Sequence, residues 1–176
     1  MNKIFVFDLD NTLIDTQAKV RVLDSNGNVV DRLDSKFYND NVKHDGKTLD
    51  FSEFDDLYQL LSEPELPTME CLIHCLNKYP EQTYILTARQ DPYIIHNWAL
   101  VKGLYELAFK NIKCVDFNQY DTTHEAKVEY IKSWISSNTR VFFWDDDARN
   151  IKAAYLAIDD IVINPNILTL KNEMDK

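Results

Sequence analysis

Asp8 and Asp10 stand two residues apart where an apolar run ends, in Lys3-Ile4-Phe5-Val6-Phe7-Asp8-Leu9-Asp10-Asn11-Thr12-Leu13. On a turning backbone, carboxylates at i and i+2 can divide labour. One serves as metal ligand and nucleophile, the other as acid and base. The same acids could equally be strand-end caps and turn residues, which need no chemistry. Three further groups follow: Thr87 after Tyr84-Ile85-Leu86, Lys127 in a helical stretch, and Asp145-Asp146-Asp147 after Val141-Phe142-Phe143-Trp144. Clustered carboxylates need a cation to remain ionised together. Lys127 is preferred for that role because it starts a helix ahead of the last acid cluster; Lys110, Lys113 and Lys132 are the other candidates.

Asp8-x-Asp10-x-Thr12 after an apolar strand resembles the first signature of the haloacid dehalogenase-like (HAD) hydrolases, most of which are magnesium-dependent phosphatases. Thr87, Lys127 and Asp145-Asp146 stand in the order of the three remaining signatures, and the resemblance covers residues 1–16 and 67–165. Small phage-encoded members are similar in size and motif order. The resemblance implies that Asp8 takes the phosphoryl group as an aspartyl-phosphate, and that Asp10 protonates the leaving oxygen and then activates water. Thr87 and the backbone around Ala88 would hold phosphoryl oxygens, with Asn11 and Thr12 completing the substrate loop. Asn11 stands where many members carry Gly, a departure that Asn tolerates in turns. Thr87-Ala88-Arg89 is similar to the Thr/Ser-x-Arg variant of polynucleotide 3′-phosphatases and some nucleotidases, which implies a phosphate-gripping Arg89. The alternative for Arg89 is an ion pair with a nearby carboxylate.

In Trp144-Asp145-Asp146-Asp147-Ala148-Arg149-Asn150, the family pattern fits as Asp145, Asp146 and Asn150. Asp146 would then ligate Mg2+ with the Asp8 carboxylate and the Asp10 carbonyl, supported by Asp145 and Asn150. Three consecutive acids leave that register open by one residue, and helix capping is the plain alternative. The expected activity is a magnesium-dependent phosphomonoesterase acting on a nucleotide or a nucleic-acid 3′-phosphate end. Small sugar or metabolite phosphates are the alternative substrates. A receiver-like phosphoacceptor domain is the non-enzymatic alternative; it would carry an acidic pair on the first strand and its phosphorylated Asp on a later one.

These residues need strands to carry them to one edge. Apolar runs at 4–7, 83–86, 112–117, 140–144 and 161–163 alternate with helical stripes. Met69, Leu72, Ile73 and Leu76 form one stripe; Ile94, Ile95, Trp98 and Val101 a second; Val128, Ile131 and Ile135 a third; Ile151, Ala154, Tyr155 and Ile158 a fourth. Such alternation predicts a three-layer α/β/α Rossmann-like sandwich with a parallel sheet, and the resemblance implies that it is a single HAD-like domain. Residues 17–66 are expected to form an insertion, a β-hairpin flap with a small cap. Lys19–Leu23 and Val29–Leu33 alternate around Asn26-Gly27, a strong hairpin signal. Residues 34–50 read as irregular, and Phe51, Phe54, Tyr58 and Leu61 as one helical stripe. The stretch 168–176 reads as a polar tail.

Composition narrows the function further. The chain has 176 residues, 45% of them hydrophobic, and a formal net charge of −10. A strongly acidic surface disfavours anionic membranes and long nucleic-acid backbones, so the expected partner is a small phosphorylated substrate or a nucleic-acid end. Cys71 and Cys75 flank His74 with no second ligand pair at zinc-site spacing, and Cys114 is alone. Three unpaired thiols suit a reducing compartment, and the first apolar run is too short for a signal peptide. A soluble cytoplasmic protein is the expectation.

Overall fold

The computed structural model describes residues 1–34, 48–116 and 119–175. In chain order its strands are β1 (Asn2–Phe7), β2 (Lys19–Leu23), β3 (Val29–Asp34), β4 (Thr48–Asp50), β5 (Thr83–Thr87), β6 (Ile112–Cys114), β7 (Thr139–Trp144) and β8 (Ile161–Ile163). The helices are α1 (Leu57–Ser62), α2 (Thr68–Lys78), α3 (Pro92–Val101), α4 (Thr123–Trp134), α5 (Ala148–Ala157) and α6 (Ile167–Met174). The chain forms two compact units, one of residues 1–15 and 64–176, the other Thr16–Glu63.

The first unit is an α/β fold whose five-stranded parallel sheet runs β6-β5-β1-β7-β8. Numbered by chain order within the sheet, that is 3-2-1-4-5. Its topological switch point, where α/β sheets place ligands, lies between β1 and β7 at their carboxyl ends. The central strands are apolar on both faces because helices cover both. Ile4, Val6, Leu86, Val141 and Phe143 pack with Val128 and Ile131 of α4 and with Ala154 of α5. Period-2 alternation sends Phe5, Phe7, Phe142 and Trp144 to the opposite face. There Phe7 stacks on Trp144 with centroids 4.1 Å apart, and Phe5 on Phe142 at 5.1 Å.

Several stripes differ in phase from the sequence reading. In α2 the buried side is Met69, Cys71, Leu72, Cys75 and Leu76, with Ile73 turned out. In α3 it is Ile95, Trp98 and Ala99, while Val101 is exposed. Asp91 caps α3 by accepting from the Tyr93 N–H, and Gly103 leaves it at φ +79°, a conformation costly for residues with a Cβ. Tyr155 is exposed and Ile151 only half-buried, so Ala154 and Asn150 form the inner side of α5. Ile135 lies just beyond α4 as its cap. Strand β6 stops at Cys114, and Phe117, counted in that strand from sequence, lies outside the described residues. The stretch read as a polar tail instead folds into α6. Asn166 caps it, Leu170 and Met174 are buried, and Lys3 Nζ donates to the Glu173 and Met174 carbonyls at 2.7 and 3.1 Å. Apolar residues at 167, 170 and 174 hold one helical side, which the flanking charges obscured.

The second unit is a three-stranded antiparallel sheet, β3-β2-β4, followed by α1. Its hairpin turns at 24–28, where Asp24 accepts from the Asn26 and Asn28 N–H groups and Gly27 takes φ +82°. Strand β4 lies inside the stretch read as irregular; the rest of that stretch, 35–47, lies outside the described residues. The expected single helix is interrupted, because Asp56 accepts from the Tyr58 and Gln59 N–H groups and begins a new helix. Tyr58 then faces solvent and Leu60, not Leu61, is buried. The carboxylate of buried Glu63 accepts from the Gln17 and Ala18 N–H groups at 2.6 and 3.1 Å, joining the two ends of the unit.

All three cysteines are thiols, Cys71 and Cys75 buried and Cys114 half-buried. Burial pushes Cys71 up to about 11 and raises Cys75 further, so neither supplies thiolate near neutral pH. In native protein at pH 8, iodoacetamide should modify Cys114 first and leave Cys71 and Cys75 intact until denaturant is added. Peptide mapping that found Cys75 modified in the native protein would overturn this. Among the described residues no helix is long and apolar enough to cross a membrane.

Candidate active site

The site residues belong to the first unit, and strand register explains how they meet. Val6 pairs with Phe143 and Phe7 with Trp144, and the Asp8 N–H donates to the Trp144 carbonyl at 2.9 Å. One further step of the ladder sets Asp8 beside Asp145. By alternation these two prolong the rows Ile4-Val6 and Val141-Phe143, which are the rows that α4 covers. Lys127 lies one turn before Ile131 on the inner side of α4, so its side chain reaches the acids along that face. Its ammonium contacts Asp8 Oδ1 at 2.8 Å and Asp145 Oδ2 at 2.7 Å. Lys127 is only 2% exposed. Of the four candidate lysines it is the one at the carboxylates; Lys110 pairs with Glu81 and Lys132 with Glu129.

The electrostatics are those of too many carboxylates for one lysine. Burial holds Asp8 well above the ordinary carboxylate range, and the charges of Asp145 and Asp10 add to that against the pull of Lys127. Burial also opposes the Lys127 charge, but Asp8 and Asp145 outweigh it and hold the ammonium above its ordinary value. Asp146 has an exposed residue surface, yet partial desolvation of its carboxyl, and next the Asp145 charge, push it up to about 6.

Oxygens of Asp8, Asp145 and Asp146 lie within 4.8 Å of one another. Hard carboxylate oxygens at that separation, with net negative charge left over, fit a small hard cation. The three consecutive acids are not equivalent. Asp145 is buried; besides Lys127 it accepts from Asn150 Nδ2 at 3.0 and 3.1 Å. Asp147 is turned to α5, capping it through the Arg149 N–H and pairing with the Arg149 guanidinium at 2.7 Å. The Arg149 hydrogen bond holds Asp147 below the ordinary range. That leaves Asp146 as the outward acid of the cluster.

Asp10 is paired with Arg89. The Arg89 guanidinium donates to it through Nε, at 3.2 Å to Oδ1 and 3.1 Å to Oδ2, and through Nη2 at 2.7 Å. Arg89 is buried, and of its two expected roles this is the ion pair with a carboxylate. Thr87, fully buried at the end of β5, accepts the Arg89 N–H at 3.2 Å. Ala88 is exposed beside them. Asn11 takes φ +56°, a left-handed turn that Asn enters more readily than most residues. Thr12 is buried, and its hydroxyl has no hydrogen-bond partner among the described residues.

Asn164 was missed from sequence. Its side-chain amide accepts from the Asp145 N–H and donates to the Asp145 carbonyl, each at 3.0 Å. Its place right after the last strand, at the same sheet edge as the acids, was the available signal. No family model, curated protein or solved structure matches the chain.

Proposed function

We propose that this protein is a magnesium-dependent phosphomonoesterase of the HAD type. The reading rests above all on one observation: the Lys127 ammonium bridges Asp8 and Asp145, at 2.8 and 2.7 Å, at the switch point of a 3-2-1-4-5 sheet. A receiver-like domain would follow the flavodoxin-type order 2-1-3-4-5, so the strand order favours the phosphatase.

In this reading Asp8 attacks phosphorus, the bond to the leaving oxygen breaks, and Asp10 delivers its proton to that oxygen. Asp10 then takes a proton from water, which attacks the aspartyl-phosphate and releases phosphate and Asp8. Lys127 keeps Asp8 charged and oriented, Arg89 fixes the Asp10 carboxyl, and Thr87, Thr12 and the Asn11 and Ala88 backbone receive phosphoryl oxygens. Asp8, Asp146 and the Asp10 carbonyl would hold Mg2+, with Asp145 and Asn150 in support, and the ion supplies charge stabilisation to the phosphoryl group. Residues 17–66 act as flap and small cap. Their two ends leave the α/β unit side by side, since Asp15 N–H donates to the Pro64 carbonyl and Leu66 N–H to that of Leu13, at 2.8 and 2.9 Å. The substrate is a nucleotide or a nucleic-acid 3′-phosphate end, in the cytoplasm; the acidic surface makes no case for gripping a long backbone.

The test is phosphate release from nitrophenyl phosphate, nucleoside monophosphates, 3′-phosphorylated oligonucleotides and sugar phosphates. Turnover should require Mg2+ and vanish in EDTA. Mg2+ should also raise Tm, by about 2.7 kcal/mol of stability at one hundred times its Kd. Asp146→Ala should lose both effects. Metal-independent turnover would refute the reading; unchanged Mg2+ affinity in Asp146→Ala would move the ligand to Asp145.

A further inference from the structure

We infer that Asn164 is a positioning residue for the candidate cation site, holding the Asp145–Asp146 peptide where its carboxylates can share one ion. The inference rests on the cation site of the proposed function. Strand β8 pairs with β7 as far as Phe143↔Ile163, and the Asn164 N–H then donates to the Phe143 carbonyl at 2.9 Å. At that point the backbone of Asn164 turns to φ +45° and can no longer continue the ladder. Its side chain does so instead. One amide accepts from the Asp145 N–H and donates to the Asp145 carbonyl, both at 3.0 Å, copying the two-point pairing of a strand neighbour.

The next residue strengthens the bracket, because the Pro165 carbonyl accepts from Trp144 Nε1 at 2.9 Å and lies 3.8 Å from the Cys71 thiol. The end of β7 is therefore held through Phe143, Trp144 and Asp145 in succession. Asp145 is gripped from its side chain by Lys127 and Asn150 and from its backbone by Asn164. The peptide that follows carries Asp146, whose carboxylate must lie within a fraction of an ångström of a productive position to ligate. Asn suits this place on two counts. It enters the left-handed region more readily than most residues, and its amide carries a donor and an acceptor on separate atoms of one rigid group, which an ionised carboxylate does not. The residue is exposed, so its removal takes nothing from the core.

The test is Mn2+ binding followed by electron paramagnetic resonance, on the full chain and its Asn164→Gly variant, alongside Tm in EDTA. Gly keeps the backbone conformation and deletes only the clamp. The variant should bind Mn2+ about 10- to 100-fold more weakly, the usual effect of losing a residue that orients ligands, while its metal-free Tm stays close to that of the parent. A variant that bound Mn2+ within twofold of the parent would overturn the assignment, as would one whose weaker binding came with metal-free unfolding. If the parent bound no Mn2+, the cation site and this inference would fall together. Weakened binding in the variant, with no phosphate release by the parent, would overturn the phosphatase reading and leave Asn164 in its role.

Discussion

Asp8→Asn should abolish turnover while the protein still folds. The substitution removes the nucleophile and one charge from the cluster but almost no volume, and Asn retains an oxygen that can accept from Lys127. Uncatalysed phosphate monoester hydrolysis is so slow that enzymes reach accelerations of up to about 10²¹-fold, more than positioning alone supplies. Asp10→Asn should behave differently. With nitrophenyl phosphate the leaving phenolate departs without a proton, so attack by Asp8 survives and one equivalent of nitrophenolate appears as a burst. Hydrolysis of the aspartyl-phosphate then lags by about 10²- to 10⁴-fold, the usual worth of a general base. Arg89 loses a charged partner in that variant, so its Tm must be compared with that of the parent. The assignment of roles fails if Asp10→Asn shows no burst, or if Asp8→Asn retains steady turnover.

Lys127→Met should be the most destabilising single change at the site. Met matches the length of the lysine stem and fills its buried path, but leaves Asp8 and Asp145 facing each other without the shared ammonium. Removing one partner from a buried ion pair costs about 3–5 kcal/mol, because the remaining charge stays desolvated. In EDTA the variant's urea midpoint should fall accordingly, and Mg2+ should recover part of the loss by supplying positive charge to the same carboxylates. Turnover should be lost with or without the ion. A midpoint equal to that of the parent in EDTA would mean that the acids are neutral in the folded protein and that Lys127 is not their counter-ion.

What the sequence determined by itself was the sheet and the cast of chemical groups. Apolar runs ending in Asp8, Thr87 and Asp145 read as central strands delivering polar ends to one edge, since burying such runs on both faces calls for helices above and below. The i, i+2 spacing of Asp8 and Asp10 and the Asn11 turn were legible for the same local reason. Helix phase was less so: in α3, Ile95 and Val101 are equally apolar, and only packing turned one inward and left the other in solvent.

Partner choice was decided by tertiary structure alone. From sequence, Lys127 could be set above the other lysines only by its order in the chain and its place at the start of a helix ahead of the last acid cluster. Its contact with two acids follows from the register of β1 against β7 and the face that α4 covers. The division of Asp145, Asp146 and Asp147 into an anchored, an outward and a helix-capping acid depends on Asn150, Lys127 and Arg149, which sequence cannot aim. Arg89 could have faced substrate or a carboxylate, and the fold buries it against Asp10. Asn164 lies farthest from any motif, and it joins the site because β8 runs parallel to β7 and ends at the same edge. Local sequence sets backbone conformation and side-chain chemistry, whereas contacts between distant residues arise only when the strands are laid side by side in register.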